Sequence, residues 1–300
     1  MPMTRPIILD LTPDAQGMVA LLAALQVPDH VRPVLVLFSG QAARVDVAMA
    51  HARDLLRAYG LADVPVQAGC PGTLVQAYGV GHDLPPGNDG LGAAHLVQAI
   101  RACPQHGATV CCAGPLTTLA LALVQAPDVG AHLDGIIFSG GAFHTRGNAT
   151  PVAERNIAAD PEAAATVLAA GVPLTIVPLG CTERLKADAV WMEQLAVMGA
   201  SPATMAARVH AELVAARNGG ARGSGVDIGL AAVTPLLALL SPGIFQGHLA
   251  HVNVERQGTY TRGMTVAVRG TGHDNALVLE SLSVDAVRGI LRDLLLLATR

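Results

Sequence analysis

The sequence predicts an α/β fold with a mostly parallel central sheet and helices on both faces. Three observations carry this expectation. Short apolar runs recur along the chain, each is followed by Gly, Pro or a small polar residue, and helical stretches separate them. The first runs, 6–11 and 34–38, precede helical stretches at 17–25 and 45–59. A helical stretch at 93–102 leads to a run at 109–112, one at 116–125 to a run at 135–138, and one at 161–170 to a run at 174–178. From residue 187 to 240 the pattern is helical, with a glycine-rich break at 219–225. Residues 252–255 and 264–268 read as a hairpin around a turn with Gln257, Gly258 and Gly263. A closing helix spans 283–297, where Val284, Val287, Ile290, Leu291, Leu294 and Leu295 repeat at helical spacing. Neither a composition shift nor an internal repeat divides the chain, so residues 1–300 are expected to form a single domain.

Composition narrows the function. Of the 300 residues, 51% are hydrophobic and 14% charged, which suits a large buried core. A net charge of −4 and the lack of any Lys/Arg run argue against nucleic acid as a partner. No apolar run reaches the roughly 18 residues of a membrane span. The opening Met1-Pro2-Met3-Thr4-Arg5-Pro6 does not have the pattern of a signal peptide, so a cytoplasmic location is expected. Cys70, Cys103, Cys111, Cys112 and Cys181 are irregularly spaced, contain no Cys-x-x-Cys pair and read as buried thiols in a reducing compartment rather than a zinc site. Cys111 and Cys112 fall on opposite faces of their strand. Without a secretion signal, the glycosylation sequon Asn148-Ala149-Thr150 is coincidental.

In a parallel sheet, ligands bind beyond the carboxyl ends of the strands. Here that rule points to 10–14, 39–41, 113–118, 139–143 and 180–182. The most informative stretch is 147–164, Gly-Asn-Ala-Thr-Pro-Val-Ala-Glu-Arg-Asn-Ile-Ala-Ala-Asp-Pro-Glu-Ala-Ala. It sets Asn148, Glu154 and Asn156 on one short connection before a helix that opens near Asp160. A carboxylate with two amides suits a polyol, because each sugar hydroxyl wants one donor and one acceptor. The competing reading is a network that only stabilises the loop. Asp160 before Pro161 reads as a helix cap. Asp10 is either a base or a strand-end acid bonded to nearby backbone. Asp14, after Pro13, is either a relocated carboxylate that partly restores a metal site, or a solvated turn acid or helix cap. Asp89 reads as a turn residue. His82, His144 and His210 are the histidines placed to reach a cleft, and none forms a recognisable pair.

Six motifs in order resemble those of nucleoside hydrolases, which cut the N-glycosidic bond of ribonucleosides. They are Ile7-Ile8-Leu9-Asp10, Asn88-Asp89-Gly90-Leu91-Gly92, Ala113-Gly114-Pro115-Leu116-Thr117-Thr118-Leu119-Ala120, Ser139-Gly140-Gly141-Ala142-Phe143, the stretch 147–164, and the ten residues from Gln257 to Val266. Thr118 stands where the family usually has Asn. The resemblance implies the nucleoside hydrolase fold with a helical lobe and a C-terminal hairpin, a nucleoside or ribose-like ligand at Asn148, Glu154 and Asn156, and a homo-oligomer, dimer or tetramer. It also implies where the chemistry departs. The family's opening Asp-x-Asp-Pro-Gly-x-Asp-Asp holds a calcium ion and helps to activate water. Here the segment is Asp10-Leu11-Thr12-Pro13-Asp14-Ala15-Gln16-Gly17. Only the first Asp remains; Thr12, Gln16 and Gly17 replace the other three, and Asp14 falls at the family's Gly. The family's C-terminal His-Asp pair falls on Ala231 and Ala232, and Asp227 lies too far upstream unless the loop shifts. Without carboxylates to hold it, calcium is not expected, nor is any other metal or cofactor. The expectation is a ribosyl-binding member whose calcium-dependent hydrolysis is weakened or lost, a pseudoenzyme candidate. Two alternatives stand beside it: an active N-ribohydrolase that rebuilds its centre from Asp10, Asp14, Glu154 and Asp227, and a non-catalytic oligomeric partner or scaffold.

Overall fold

A computed structural model describes residues 4–40, 45–75, 89–105, 107–198, 228–270 and 272–296. Gln41, His82, Asn88, His210, the break at 219–225 and Asp227 lie outside these residues.

The apolar runs become strands because each can pair with a neighbour and bury both faces. In chain order they are β1 (Arg5–Leu11), β2 (Val31–Phe38), β3 (Val66–Ala68), β4 (Ala108–Cys112), β5 (Leu133–Ser139) and β6 (Leu174–Val177). A short pair, β7 (Lys186–Ala187) and β8 (Ile228–Gly229), follows, then β9 (Phe245–Val254), β10 (Thr265–Val268) and β11 (Ala276–Leu282). Nine strands form one sheet in the order β10-β9-β11-β6-β5-β4-β1-β2-β3. Pairing is parallel from β3 through to β11, and β9 alone runs the other way in this sheet, antiparallel to both β11 and β10. The predicted hairpin is therefore real, with β9 longer than expected. The reading corrects in three places. β3 and β11 are strands that periodicity did not single out, and the stretch taken as wholly helical from 187 contains the β7–β8 pair.

The helices are α1 (Ala15–Leu25), α2 (Val45–Ala58), α3 (Gly92–Arg101), α4 (Thr117–Gln125), α5 (Arg155–Ala159), α6 (Pro161–Leu168), α7 (Leu179–Thr182), α8 (Ala189–Met198), α9 (Thr234–Leu240) and α10 (Val284–Leu296). None is long and apolar enough to cross a membrane among the described residues. Alternation along β1 separates two apolar layers. Ile7, Leu9 and Leu11 pack with Met18, Leu22, Met49, Leu237 and Leu291 of α1, α2, α9 and α10. Ile8 packs with Leu96, Leu119 and Val167 of α3, α4 and α6 on the other face. Cys111 joins the first layer and Cys112 the second, as strand alternation requires. Both layers are almost fully buried, which fixes the strand ends that carry the site.

Candidate active site

Over the carboxyl ends of β1, β2, β4 and β5 lies a cleft of about 430 Å³. The β1–α1 loop contributes Thr12, Asp14 and Gln16; the β5–α5 connection contributes Asn148, Glu154 and Asn156. Ser39 and Ala113 line the floor, and Ala231 and Ala232 stand in the wall. The structure thus gathers residues that the sequence scatters over more than 200 positions.

Glu154 is buried at 7% exposure and caps α5. Its Oε2 accepts from Asn156 N at 2.9 Å, Ile157 N at 3.2 Å and Gly141 N at 3.3 Å. Gly141 holds φ +84, a region that favours glycine, and so turns its N–H toward the carboxylate. Burial raises the Glu154 pKa, and the three backbone donors oppose that rise. Asn156 spends its Nδ2 on Ala113 O at 3.1 Å and Ser139 O at 2.9 Å, tying the ends of β4 and β5 together. Asn148 Oδ1 accepts from Arg155 N at 2.8 Å. The expected trio is therefore partly a loop-stabilising network. Among the described residues no hydrogen bond engages Glu154 Oε1, Asn156 Oδ1 or Asn148 Nδ2, two acceptors and one amide donor.

Asp14 caps α1. Its Oδ1 accepts from Thr12 Oγ1 at 2.9 Å, Gln16 N at 3.0 Å and Gly17 N at 3.2 Å. Gly17 is sterically fixed here: a Cβ would meet Thr12 O at 2.1 Å. Asp10 does not line the cleft: it is 1% exposed, beside Ser39 of the cleft floor and Cys112 of the α3/α4 layer. Burial lifts its pKa from 3.8 to about 6, against the Ser39 hydroxyl and the Cys112 thiol, which favour the charged form. Cys112 Sγ lies 3.7 Å from Asp10 Oδ2, while Oδ1 has no hydrogen-bond partner among the described residues.

The remaining candidates fall elsewhere. Asp160 is the cap of α6 that its sequence context predicts, and it also binds Thr117 Oγ1 at 2.7 Å and Leu74 N at 2.9 Å. Asp89 pairs with His95 at 2.9 Å in its turn. His144 lines a separate cavity with His248 and Glu280. Sequence reasoning missed Glu183 and Lys186 in the cleft wall. The strand-end rule stops at residue 182, one position short of Glu183; Lys186 sits on a two-residue strand with no periodic signal.

Comparison with known proteins points to one family. Residues 7–289 match the family described as inosine-uridine preferring nucleoside hydrolase. The pyrimidine-specific ribonucleoside hydrolase RihA of Shewanella woodyi is 31% identical over 92% of this chain and 93% of its own. The non-specific ribonucleoside hydrolase RihC of Klebsiella pneumoniae is 32% identical over 94% and 95%. An uncharacterized protein of Schizosaccharomyces pombe is 33% identical over 87% and 88%. Among solved structures, an inosine-guanosine nucleoside hydrolase superposes with a TM-score of 0.81 at 22% identity, covering 98% of this chain and 99% of its own. Family match, relatives and fold coincide along nearly the whole length, and the chain belongs to the nucleoside hydrolase family.

Proposed function

We propose that the cleft binds a ribonucleoside or ribose-like ligand and that ordinary calcium-dependent N-glycosidic hydrolysis is weakened or lost. The observation that carries this reading is the unequal state of the two walls. On the β5–α5 wall, Glu154 Oε1, Asn156 Oδ1 and Asn148 Nδ2 remain open to sugar hydroxyls. On the β1 wall the donors do not fit a calcium ion, which takes about 6–8 oxygens. Thr12 donates its hydroxyl to Asp14, Asp14 has one oxygen taken by three donors, and Gln16 offers an amide. Gly17, Ala231 and Ala232 offer no side-chain oxygen, and Ala113 O is engaged by Asn156. Without a cation to bring a bound water toward ionisation, attack on the anomeric carbon loses its main source of nucleophile.

Titration of the protein with ribose, uridine and inosine by calorimetry tests the binding half. A hydrolysis assay on inosine, uridine and cytidine, with and without added calcium, tests the chemical half. Binding with slow, calcium-indifferent turnover is expected; calcium-dependent turnover at ordinary enzyme rates overturns it. One observation favours a second reading, an N-ribohydrolase with a rearranged centre: Asp14 lines the cleft, and among the described residues its three donors all meet one oxygen. In that case turnover is fast and indifferent to calcium. If no ligand binds, the non-catalytic partner or scaffold is left.

A further inference from the structure

We infer that the ligand of this cleft carries a phosphate group and that Lys186 pairs with it. This rests on the reading that the cleft takes a ribosyl ligand, and it narrows that class to phosphorylated ribosides.

Lys186 is the only lysine of the chain, whose 19 basic residues are otherwise arginines. It lines the cleft, and its place in the fold aims it there. It stands on β7 opposite Gly229 of β8 in an antiparallel pair. The next residue, Ala187, is buried in the apolar layer with α1 and α9. Side chains alternate along a strand, so Lys186 leaves β7 on the other face, toward the cleft. Directly opposed residues of an antiparallel pair share a face. A Cβ on Gly229 would stand 3.3 Å from Gln16 Oε1, so the Lys186 stem leaves β7 on the side of the Gln16 amide.

Among the described residues no ion pair or side-chain hydrogen bond engages Lys186 or Arg155, the two basic residues that line the cleft. Basic side chains elsewhere meet carboxylates, as Arg101 does Asp128, Arg262 Glu162 and Arg288 Asp188. Around Lys186, the cleft residues Gln16, Gly229, Ala231 and Ala232 carry no charge. The acids that share the cleft are each tied to the protein through one oxygen: Asp14 to the first turn of α1, Glu154 to that of α5, and Glu183 Oε2 to Thr145 Oγ1 at 3.4 Å. An ammonium without a counter-ion in a concave site draws anions to it. Phosphate suits this one. Lysine holds it as a compact charge with three donors, and the Gln16 amide beside it adds N–H donors for a second phosphate oxygen. Asn148, Glu154 and Asn156 on the β5–α5 wall then take the sugar hydroxyls, and about 430 Å³ has room for a pentose with its substituent.

The experiment is calorimetric titration of the full chain in EDTA at low salt with uridine, uridine 5′-monophosphate, uridine 3′-monophosphate and inorganic phosphate. The better of the two monophosphates is expected to bind about tenfold tighter than uridine, a gain that shrinks as salt is raised. Lys186→Gln keeps the stem and removes the charge. Because the Lys186 side chain is exposed, this variant is expected to melt close to the wild type and to bind uridine and its monophosphates alike. Lys186→Arg restores a charge and is expected to keep most of the gain, which a structural role for the lysine would not produce. A gain retained in Lys186→Gln overturns the inference, as does a gain lost equally in Lys186→Arg or one indifferent to salt. Inorganic phosphate binding as tightly as the monophosphates also overturns it, because the ribosyl wall would then add nothing. Uridine binding as tightly as its monophosphates overturns it and leaves the ribosyl reading standing. Binding of none of the four removes the ribosyl reading itself.

Discussion

Asp10 shows what one residue does when the surrounding layer is apolar. Its carboxyl is 1% exposed, one oxygen lacks a partner, and its pKa stands at about 6 rather than 3.8. The folded state therefore keeps the proton to higher pH than the unfolded chain does. The contribution to stability is fully present below about pH 4 and is lost as pH rises through about 6, on the order of 3 kcal/mol at neutral pH. Asp10→Asn keeps the shape without the charge, so it should raise the melting temperature at pH 8 and leave it nearly unchanged at pH 4. A melting series across that range checks the prediction, and a variant less stable at pH 8 would contradict it. Gly17 carries the opposite lesson. Gly17→Ala places a methyl 2.1 Å from Thr12 O, so the loop must move. We expect a loss of about 2–3 kcal/mol in urea unfolding, seen as a lower midpoint with an unchanged slope. Gly17→Asp should lose as much and gain no calcium affinity. The sequence pattern marks Asp10 as the one Asp kept from the family's opening motif, Asp14 as a candidate helix cap and Gly17 as a replaced position. Which oxygen each carboxylate spends was not legible there, because hydrogen-bond accounting needs coordinates.

At the scale of elements, the β5–α5 connection is the part of the site that the sequence displayed most openly. Asn148, Glu154 and Asn156 lie within nine residues, and all three reach one cleft. Their double duty explains why the segment is both scaffold and pocket. Glu154→Ala should cost about 1–2 kcal/mol through the lost cap of α5 and should also abolish ligand binding. Glu154→Gln should recover much of the stability and less of the binding, a split that urea unfolding and calorimetry read separately. The elements that sequence reasoning passed over have a common physical cause. β11, Ala-Leu-Val-Leu-Glu-Ser-Leu, is rich in residues that favour helix, and it is a strand because β6 and β9 flank it. β3 has only three residues and pairs with β2 alone. A second tie joins elements far apart in sequence: Arg262 in the β9–β10 turn meets Glu162 of α6 through two bonds of 2.7 Å. Arg262 holds the Glu162 carboxyl below its ordinary pKa. The pair therefore stabilises above the carboxylate range, and its contribution fades as pH falls through the depressed folded value. Both groups are partly exposed, so a double-mutant cycle at pH 7 should give about 1 kcal/mol or less.

For the whole molecule, the fold was legible because strand–helix alternation and chain length allow few arrangements, and one sheet with two apolar layers satisfies both. That same sheet assembles the cleft from β1, β2, β4 and β5, so fold and site are inherited together while the chemistry depends on a few loop side chains. Calcium separates the two. An ion bound only by the folded chain at a hundred times its Kd adds about 2.7 kcal/mol, which for about 300 residues raises Tm by about 4 °C. The donor set around Thr12, Asp14, Gln16 and Gly17 supplies too few oxygens for such a site. Millimolar calcium should therefore move the melting curve by less than about 1 °C relative to EDTA, whereas saturating uridine should raise Tm by several degrees in either buffer. A shift of the full size with calcium alone would mean that the β1–α1 loop rearranges around an ion, releasing Asp14 from the α1 cap and reopening the space above Gly17. In that event the weakened hydrolysis would fall, because it rests on a donor set that holds no ion.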